Sequence, residues 1–558
     1  MTAMSAVDDA LPVHELGLVM AGAVSAGAYT AGVVDFLVEA LDAWHQGQAD
    51  GFAAAPHRVR LAGLTGASGG AMTAGILAGI LAGRPHRPVH AADPGPSVPD
   101  NALFESWVNR IDAEVLLAPD DLGDGRRLLA LLNGGSLDAI AAAALPGGAG
   151  GRPRPWAQDG VDLAFTITNL RGVPYNLGFG EAEAESVPRP GHGMRRHAEA
   201  LRFRLGPGPA ADASATALDW AMRGPGWGRL QQAALASGAF PLALPPRPLV
   251  RPVGDYESEL WPFPVGADEE PPACRRWQPL PPHWGDHAAP TALEFLAVDG
   301  GMLDNQPFTL GRGLLVGRPP ARARAPVAGR SLVSIDPFPD IVGFRPGEPA
   351  PEGLLDLARA LLVAMKNQTR FKPEELVTAQ DDPMASRHMV APSRRIDGVR
   401  ADHPLAGGVL DGFGGFLDRA FRVHDFQLGR LNCQRFLERH LRLPGTDPLF
   451  GGWPAALRER HGDRRGRLPV LPLVGQAARP LPMPAWPALD EARMRHLRRL
   501  LRGRIRALLP HAIDHLLARS SPPMRLATRL MARWQSRGWV NALADHIERE
   551  LRLRGQLR

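Results

Sequence analysis

Gly63-Leu64-Thr65-Gly66-Ala67-Ser68-Gly69-Gly70 joins an apolar stretch of strand length, Val59 to Leu64, to a helix-forming run, Ala71 to Leu81. Residues 66 to 70 read G-x-S-x-G. Strand, tight turn and helix in that order form the setting in which a serine is lifted out of the backbone at the end of a sheet. Glycines fit such a turn, because a Cβ on either flank would meet neighbouring backbone and glycine reaches positive φ without penalty. The serine Oγ then stands before a helix N-terminus, and the next N–H can face a developing negative charge. A plain glycine-rich turn with a serine N-cap gives the same string. With 62 glycines in the chain, the remaining sequence has to decide between the two.

The same succession occurs once upstream. Leu16 to Met20 reads as a short strand, Ala21 to Gly27 as a loop of small residues, and Ala28 to Trp44 as a helix with Val33, Phe36, Leu37, Ala40 and Leu41 at helical spacing. Two such units in a row predict a parallel sheet covered by helices, an α/β fold. Further strands are expected at Leu163–Leu170, Leu293–Val298 and Leu332–Ile335. Helices are expected at Phe104–Leu117, Arg126–Leu145 and Leu230–Ala236. Residues 254–292 carry Tyr256, Trp261, Trp277 and Trp284 among many prolines and read as an insertion, a lid or rim. From about residue 346 the pattern turns helical, at Leu354–Thr369, Gly415–Leu441, Glu491–Leu517 and Arg525–Leu553. The expected division is therefore 1–345 for the α/β domain and 346–558 for a mainly helical extension.

Composition narrows the classes. With 558 residues, 45% apolar content, 55 prolines and a net charge of +5, the chain can bury a large core and has long irregular connections. Nearly all its positive charge is arginine, with lysine at Lys366 and Lys372, and the acids are interspersed. No basic stripe for nucleic acid emerges. Cys274 and Cys433 make neither a disulfide framework nor a metal-ligand spacing. Met1 to Glu15 lacks a basic segment followed by an apolar one, so a cytoplasmic chain is expected. Leu61 to Gly83 approaches spanning length, but its glycines and alanines, with Thr65 and Ser68, make it a buried strand, turn and helix.

A serine hydroxyl needs a base to become a nucleophile. Asp299 follows the apolar strand Phe295-Leu296-Ala297-Val298 and precedes Gly300-Gly301, which puts a carboxylate at a strand's carboxyl end, where open α/β sheets bind ligands. An aspartate capping a turn is the duller account of it. Gly22-Ala23-Val24-Ser25-Ala26-Gly27 is a loop whose backbone can approach an anion at a helix N-terminus. It lacks the dinucleotide spacing, and no Lys-Ser or Lys-Thr follows to make a phosphate loop.

Taken in order, these segments resemble the patatin-like phospholipases. Gly27-Ala28-Tyr29-Thr30-Ala31-Gly32-Val33 looks like the segment after that family's oxyanion loop, and Gly66-Ala67-Ser68-Gly69-Gly70 like its nucleophile motif. Thr166-Ile167-Thr168-Asn169-Leu170 resembles its Thr-Asp-Leu strand, and Ala236-Ser237-Gly238-Ala239-Phe240-Pro241 its Ala-Ser-x-Ala-x-Pro segment. Asp299-Gly300-Gly301, with Asn305 and Pro307, resembles its Asp-Gly-Gly and Asn-x-Pro signature. The resemblance covers roughly residues 16 to 340. It implies a three-layer α/β/α domain and a Ser68–Asp299 dyad cleaving lipid esters through an acyl-enzyme, with neither metal nor organic cofactor. Backbone N–H groups of Gly22, Ala23, Val24 and Gly69 would bind the oxyanion. Where the family's first loop usually reads Gly-Gly-Gly-x-Arg/Lys-Gly, this chain has Ala23, Val24 and Ala26, so the basic residue is replaced and phospholipid preference is less secure than ester hydrolysis. The alternatives are a Ser-His-Asp esterase using His388 or His424, and a silent lipid-binding or scaffold protein with a decayed first loop. Met494 to Leu517 interleaves arginines with apolar residues. That pattern suits an amphipathic helix packed on the body with solvated arginines, or one touching an anionic membrane surface.

Overall fold

The alternation in Val13–Met20 is resolved by helices on two sides. This segment is strand β1. Leu16, Leu18 and Met20 enter the main apolar core, while Val19 faces the opposite way, against Leu315 and Leu332. The computed structural model describes residues 11–49, 57–123, 128–177, 192–210, 212–264, 275–316, 329–339, 388–517 and 522–558, with isolated positions between 350 and 364. After β1 come α1 (Gly27–Ala49), β2 (Arg58–Gly66), α2 (Gly69–Leu81), α3 (Gly135–Ala144), β3 (Val161–Leu177), β4 (His192–Leu205), β5 (Thr216–Leu218) and α4 (Pro225–Ser237). Then follow β6 (Arg247–Pro252), β7 (Leu260–Pro264), β8 (Arg275–Pro279), β9 (Ala292–Asp299), α5 (Phe308–Val316), β10 (Arg330–Ile335), β11 (Met389–Val390), α6 (Arg419–Arg439), α7 (Glu491–Leu516) and α8 (Pro522–Leu553). Shorter turns are named by their residues.

Among the described residues the sheet has nine strands, and β11, β10, β1, β2 and β3 lie side by side in parallel. β4 is antiparallel to β3, β5 extends the far edge, and β9 runs antiparallel between β3 and β6. Apolar residues of α1, α2, α4 and α6 cover one face; Phe308 and Leu315 of α5 cover the other. This is the layered arrangement expected for a mostly parallel sheet, whose strands are buried on both sides.

One register decides the site. Gly66, the last residue of β2, lies opposite Phe165 of β3. Asp299, the last residue of β9, lies opposite Ile167 on the same edge of β3. β9 opposes β3 in direction and β2 follows it, so the carboxyl ends of β2 and β9 meet head to head.

α6 and the segments around it are built into the same core, which includes residues from Leu16 to Ala477, while α7 and α8 pack in a second cluster with Val409 and Phe421. α6 crosses α1 backbone to backbone. A Cβ on Gly32 would collide with the Phe426 carbonyl, and one on Gly429 with that of Tyr29. Around the crossing Arg430 pairs with Asp35 and, at 2.6 Å, with Glu39, all of them buried. Burial pushes the Glu39 carboxyl up to about 7.

Some elements differ from expectation. The helix expected over 126–145 starts only at Gly135, because Leu131 and Leu132 donate backbone hydrogen bonds to Leu242 and Ala243 instead of to carbonyls one helical turn back. The helix expected over 104–117 is broken into short turns, one of them a π-helix at Glu105–Asn109. The expected helix 354–369 falls mostly outside the described residues, as does Cys274. In the 254–292 segment, Tyr256 and Trp261 pack with Tyr175 of β3. The helix Val24–Gly47 is long and apolar enough to cross a membrane, and 94% of its apolar window is buried inside the protein.

His57 ties the two halves together and supplies a pH test. It is fully buried; its Nε2–H donates to the Val470 carbonyl at 2.9 Å, and its Nδ1 accepts from Trp453 Nε1–H at 3.0 Å. Burial pushes its pKa down from 6.5 to about 4, since a second proton would break the Trp453 bond and charge a dry site. The unfolded chain takes up that proton more readily than the folded one. The stabilisation is therefore complete above about pH 6.5 and lost as pH falls toward 4, up to about 3 kcal/mol. Burial pushes His14 and His86 down to about 3, in the same direction. Thermal melts of the wild type should fall steeply between these limits, and His57→Gln should flatten part of that slope. A melting temperature that is level across the interval would contradict this account.

Candidate active site

The turn after β2 has the strain its sequence suggests. Ser68 sits at φ 52°, ψ −126°, a conformation costing a non-glycine residue roughly 1–3 kcal/mol that the surrounding structure must impose. Glycine is required on both sides of it. A Cβ on Gly66 would lie 2.6 Å from the Ala71 nitrogen, and one on Gly70 would collide with the Met20 carbonyl. Ser68 N–H is held by Ser237 Oγ at 2.9 Å. Ser237 ends α4, and nothing in its spacing from Ser68 marked it as a partner.

From this turn Ser68 Oγ donates to Asp299 Oδ2 at 2.7 Å. The other carboxylate oxygen, Oδ1, accepts the Gly301 N–H at 2.7 Å. Asp299 N–H is itself held by the Ala239 carbonyl at 2.9 Å, and Thr168 Oγ1 donates to the Asp299 carbonyl at 2.8 Å. Gly300 is pressed on the Thr166 backbone, where a side chain would not fit. The carboxylate is thus oriented by backbone on one oxygen and offered to the serine on the other. Ser68 is 7% exposed and Asp299 3%, so their bond is shielded from bulk water, which strengthens it.

The first loop folds over the same point. A Cβ on Gly22 would be 3.3 Å from that of Ser68, and one on Gly69 would be 3.4 Å from that of Ala23. Gly22 N–H, expected among the oxyanion donors, instead donates to the Asn305 carbonyl at 3.2 Å. The reason is the turn after Asp299, which brings Asn305 against Gly22; its side-chain oxygen fills the space beside both Gly22 and Gly301. Val24 and Gly69 each open a helical turn, whose first N–H groups have no partner within it. Val24 adopts φ 47°, the left-handed region that costs a β-branched residue roughly 1–2 kcal/mol. Ala26 is fully buried. Gly27 is covered by the ring of Trp107, from the π-helix, which also lies 3.2 Å from where a Gly69 Cβ would be.

His388 and His424, the alternative partners for the serine, are engaged elsewhere. The His424 ring bonds Asp425 at 2.9 Å and meets Trp486 edge-on, and the His388 ring lies against Phe436. Beside the turn, α2, α3, α4 and the π-helix line a half-open apolar hollow, with Met72, Ile76, Trp107, Leu137, Ile140 and Leu235 among its walls. Met72 is one helical turn from Ser68, whose carbonyl its N–H bonds at 3.2 Å. Among the described residues no group of three or more His, Cys, Asp or Glu side chains is arranged to hold a metal ion.

No protein-family model matches the chain. It is 35% identical over 533 residues to the uncharacterized protein y4iI of Sinorhizobium fredii (strain NBRC 101917 / NGR234), a match covering 87% of this chain and 74% of that protein. Among solved structures, VipD from Legionella pneumophila aligns over 77% of this chain and 67% of its own, at 11% identity and a TM-score of 0.24.

Proposed function

The chain belongs to the family of the Sinorhizobium fredii protein y4iI, and we propose that it is a serine acyl hydrolase of patatin-like type that cleaves carboxylic esters of lipids. The observation carrying this reading is the 2.7 Å hydrogen bond from Ser68 Oγ to Asp299 Oδ2 at a strained strand-to-helix turn.

In the first half-reaction Ser68 Oγ attacks the ester carbonyl carbon while its proton passes to Asp299. The negative charge on the carbonyl oxygen falls to the N–H groups of Ala23, Val24 and Gly69; one such donor is worth about 10²- to 10³-fold in rate. Collapse breaks the ester C–O bond, and the departing alcohol takes the proton from Asp299. Water then attacks the acyl-serine, gives its proton to Asp299, and releases the fatty acid. Ser68 recovers the proton as it leaves. The apolar lining of the hollow beside Ser68 supports a lipid acyl group as the part of the substrate that is bound.

Two experiments follow. A fluorophosphonate probe should label the wild-type protein on Ser68, with hydrolysis of p-nitrophenyl acyl esters. Protein that neither labels nor hydrolyses any such ester would overturn the enzyme reading in favour of a silent lipid-binding role. Chain-length choice tests the cavity. Gly75 lines it and has room for a side chain, the nearest atom to its Cβ position being Ala234 Cβ at 3.6 Å. Gly75→Leu should leave butyrate esters nearly unaffected and slow laurate esters by at least ~10-fold, as lost methylene contacts do. An unchanged chain-length profile would place the acyl group elsewhere.

A further inference from the structure

The first loop does not hold its own shape. Val24 sits at positive φ where the sequence supplies no glycine, and such a conformation persists only when neighbouring structure over-determines it. The neighbour is a segment almost 400 residues downstream. Ser25 Oγ donates to the Gly412 carbonyl and accepts the Gly415 N–H at 2.9 Å. Gly412 packs beside Val24, a Cβ there lying 3.7 Å from that of Val24, and a side chain on Gly415 would strike Ser25. This downstream segment is constrained in turn. Leu410, Asp411 and Gly412 all have positive φ, at 56°, 53° and 95°. Two buried side chains of α6 fix it: Asp425 accepts the N–H groups of Ala406 and Gly407 at 2.7 and 2.9 Å, and Arg422 Nη1 donates to the Gly415 carbonyl at 2.7 Å. α6 is anchored on α1, the helix that follows the loop.

We infer that residues 406–416, held by Asp425 and Arg422 and joined to the loop through Ser25, act as a clamp that fixes the Ala23–Val24 backbone in its oxyanion-binding conformation. This rests on the acyl-hydrolase reading. It makes Ser25 a positioning residue and the C-terminal helical part a component of the active site. In this chain a distant segment does for the loop what glycines would otherwise do locally.

The test compares full-length wild type, Ser25→Ala and Ser25→Ala/Val24→Gly. Without the hydroxyl, the loop relaxes away from positive φ. kcat should fall about 10²-fold, the size of a misplaced or lost oxyanion donor, with KM nearly unchanged. Counting active sites with fluorophosphonate separates this from loss of folded protein. Glycine at 24 tolerates the strained conformation, so the double variant should regain at least ~10-fold of the lost kcat. Independently of activity, the Ala26 amide, which donates to the Ala23 carbonyl at 2.8 Å, should exchange its hydrogen at least ~10-fold faster in Ser25→Ala. A Ser25→Ala enzyme with wild-type kcat per active site, or wild-type exchange at Ala26, overturns the clamp. A wild type that neither labels nor hydrolyses overturns the hydrolase reading instead, and the exchange measurement then decides the clamp alone.

Discussion

On the proposed mechanism Ser68→Ala should abolish fluorophosphonate labelling and lower ester hydrolysis by about 10⁴-fold or more while the protein remains folded, because removing a covalent nucleophile would eliminate the acyl-enzyme route. What persists is the catalysis that binding and oxyanion donors give to direct attack by water. The fold should survive, at a cost of about 1–3 kcal/mol for the donor lost to a buried carboxylate oxygen. Ser68 N–H keeps its bond to Ser237, and the alanine Cβ occupies the same space. Ser68→Gly should melt above Ser68→Ala, since both lack the hydroxyl and the backbone at φ 52° is strained for alanine and easy for glycine. Mass spectrometry of the labelled peptide and thermal melts check the two halves. Label appearing on another serine, or surviving in Ser68→Ala, would move the active site.

Asp299→Asn should cost about 10³- to 10⁴-fold in kcat with little change in KM, the scale seen when the group that serves the nucleophile's proton is lost and the geometry kept. Asparagine has the same shape. Its oxygen can still accept the Gly301 N–H, which now meets Oδ1 at 2.7 Å, but its NH2 would face Ser68 Oγ and cannot take a proton from it. Residual activity should rise with pH as hydroxide replaces the missing base. A variant keeping activity within about tenfold of wild type would remove Asp299 as the base. His388→Gln and His424→Gln, by contrast, should leave the chemical step intact, since both rings are committed to contacts away from the serine.

The two groups proposed to react were legible because each is written in a short local string. G-x-S-x-G between strand and helix carries its own turn geometry, and Asp-Gly-Gly after an apolar strand carries another. The strands and long helices were legible from their periodicity: the strand read from Leu293 is β9, and the helix read from Glu491 is α7. What failed locally failed for a physical reason. The run 126–145 is interrupted by Asn133-Gly134-Gly135, and on the near side of that break Leu131 and Leu132 pair with Leu242 and Ala243, partners so far along the chain that no window contains them. Ser237 and Asn305 stand in segments that the sequence marks, but their bonds to Ser68 and Gly22 join distant stretches; Ser25 is a lone polar residue with no spacing to announce its bond to Gly415. Trp107 is equally silent: its role is to lie on Gly27 and Gly69, which requires a π-helix at that point.

The sequence by itself determined the elements and the chemistry at their ends: a serine lifted from a glycine turn, a carboxylate at a strand's tip, and a small-residue loop before a helix. Only the tertiary structure decided that they form one site. β9 reverses direction and takes the edge of β3 where β2 stops, so that Asp299 and Ser68 arrive at the same place. Only the tertiary structure gave the loop's backbone its shape, through α6 and the turn at 406–416. Both are long-range pairings, fixed by the burial of whole elements against each other, and no single stretch of chain contains the energy that selects them.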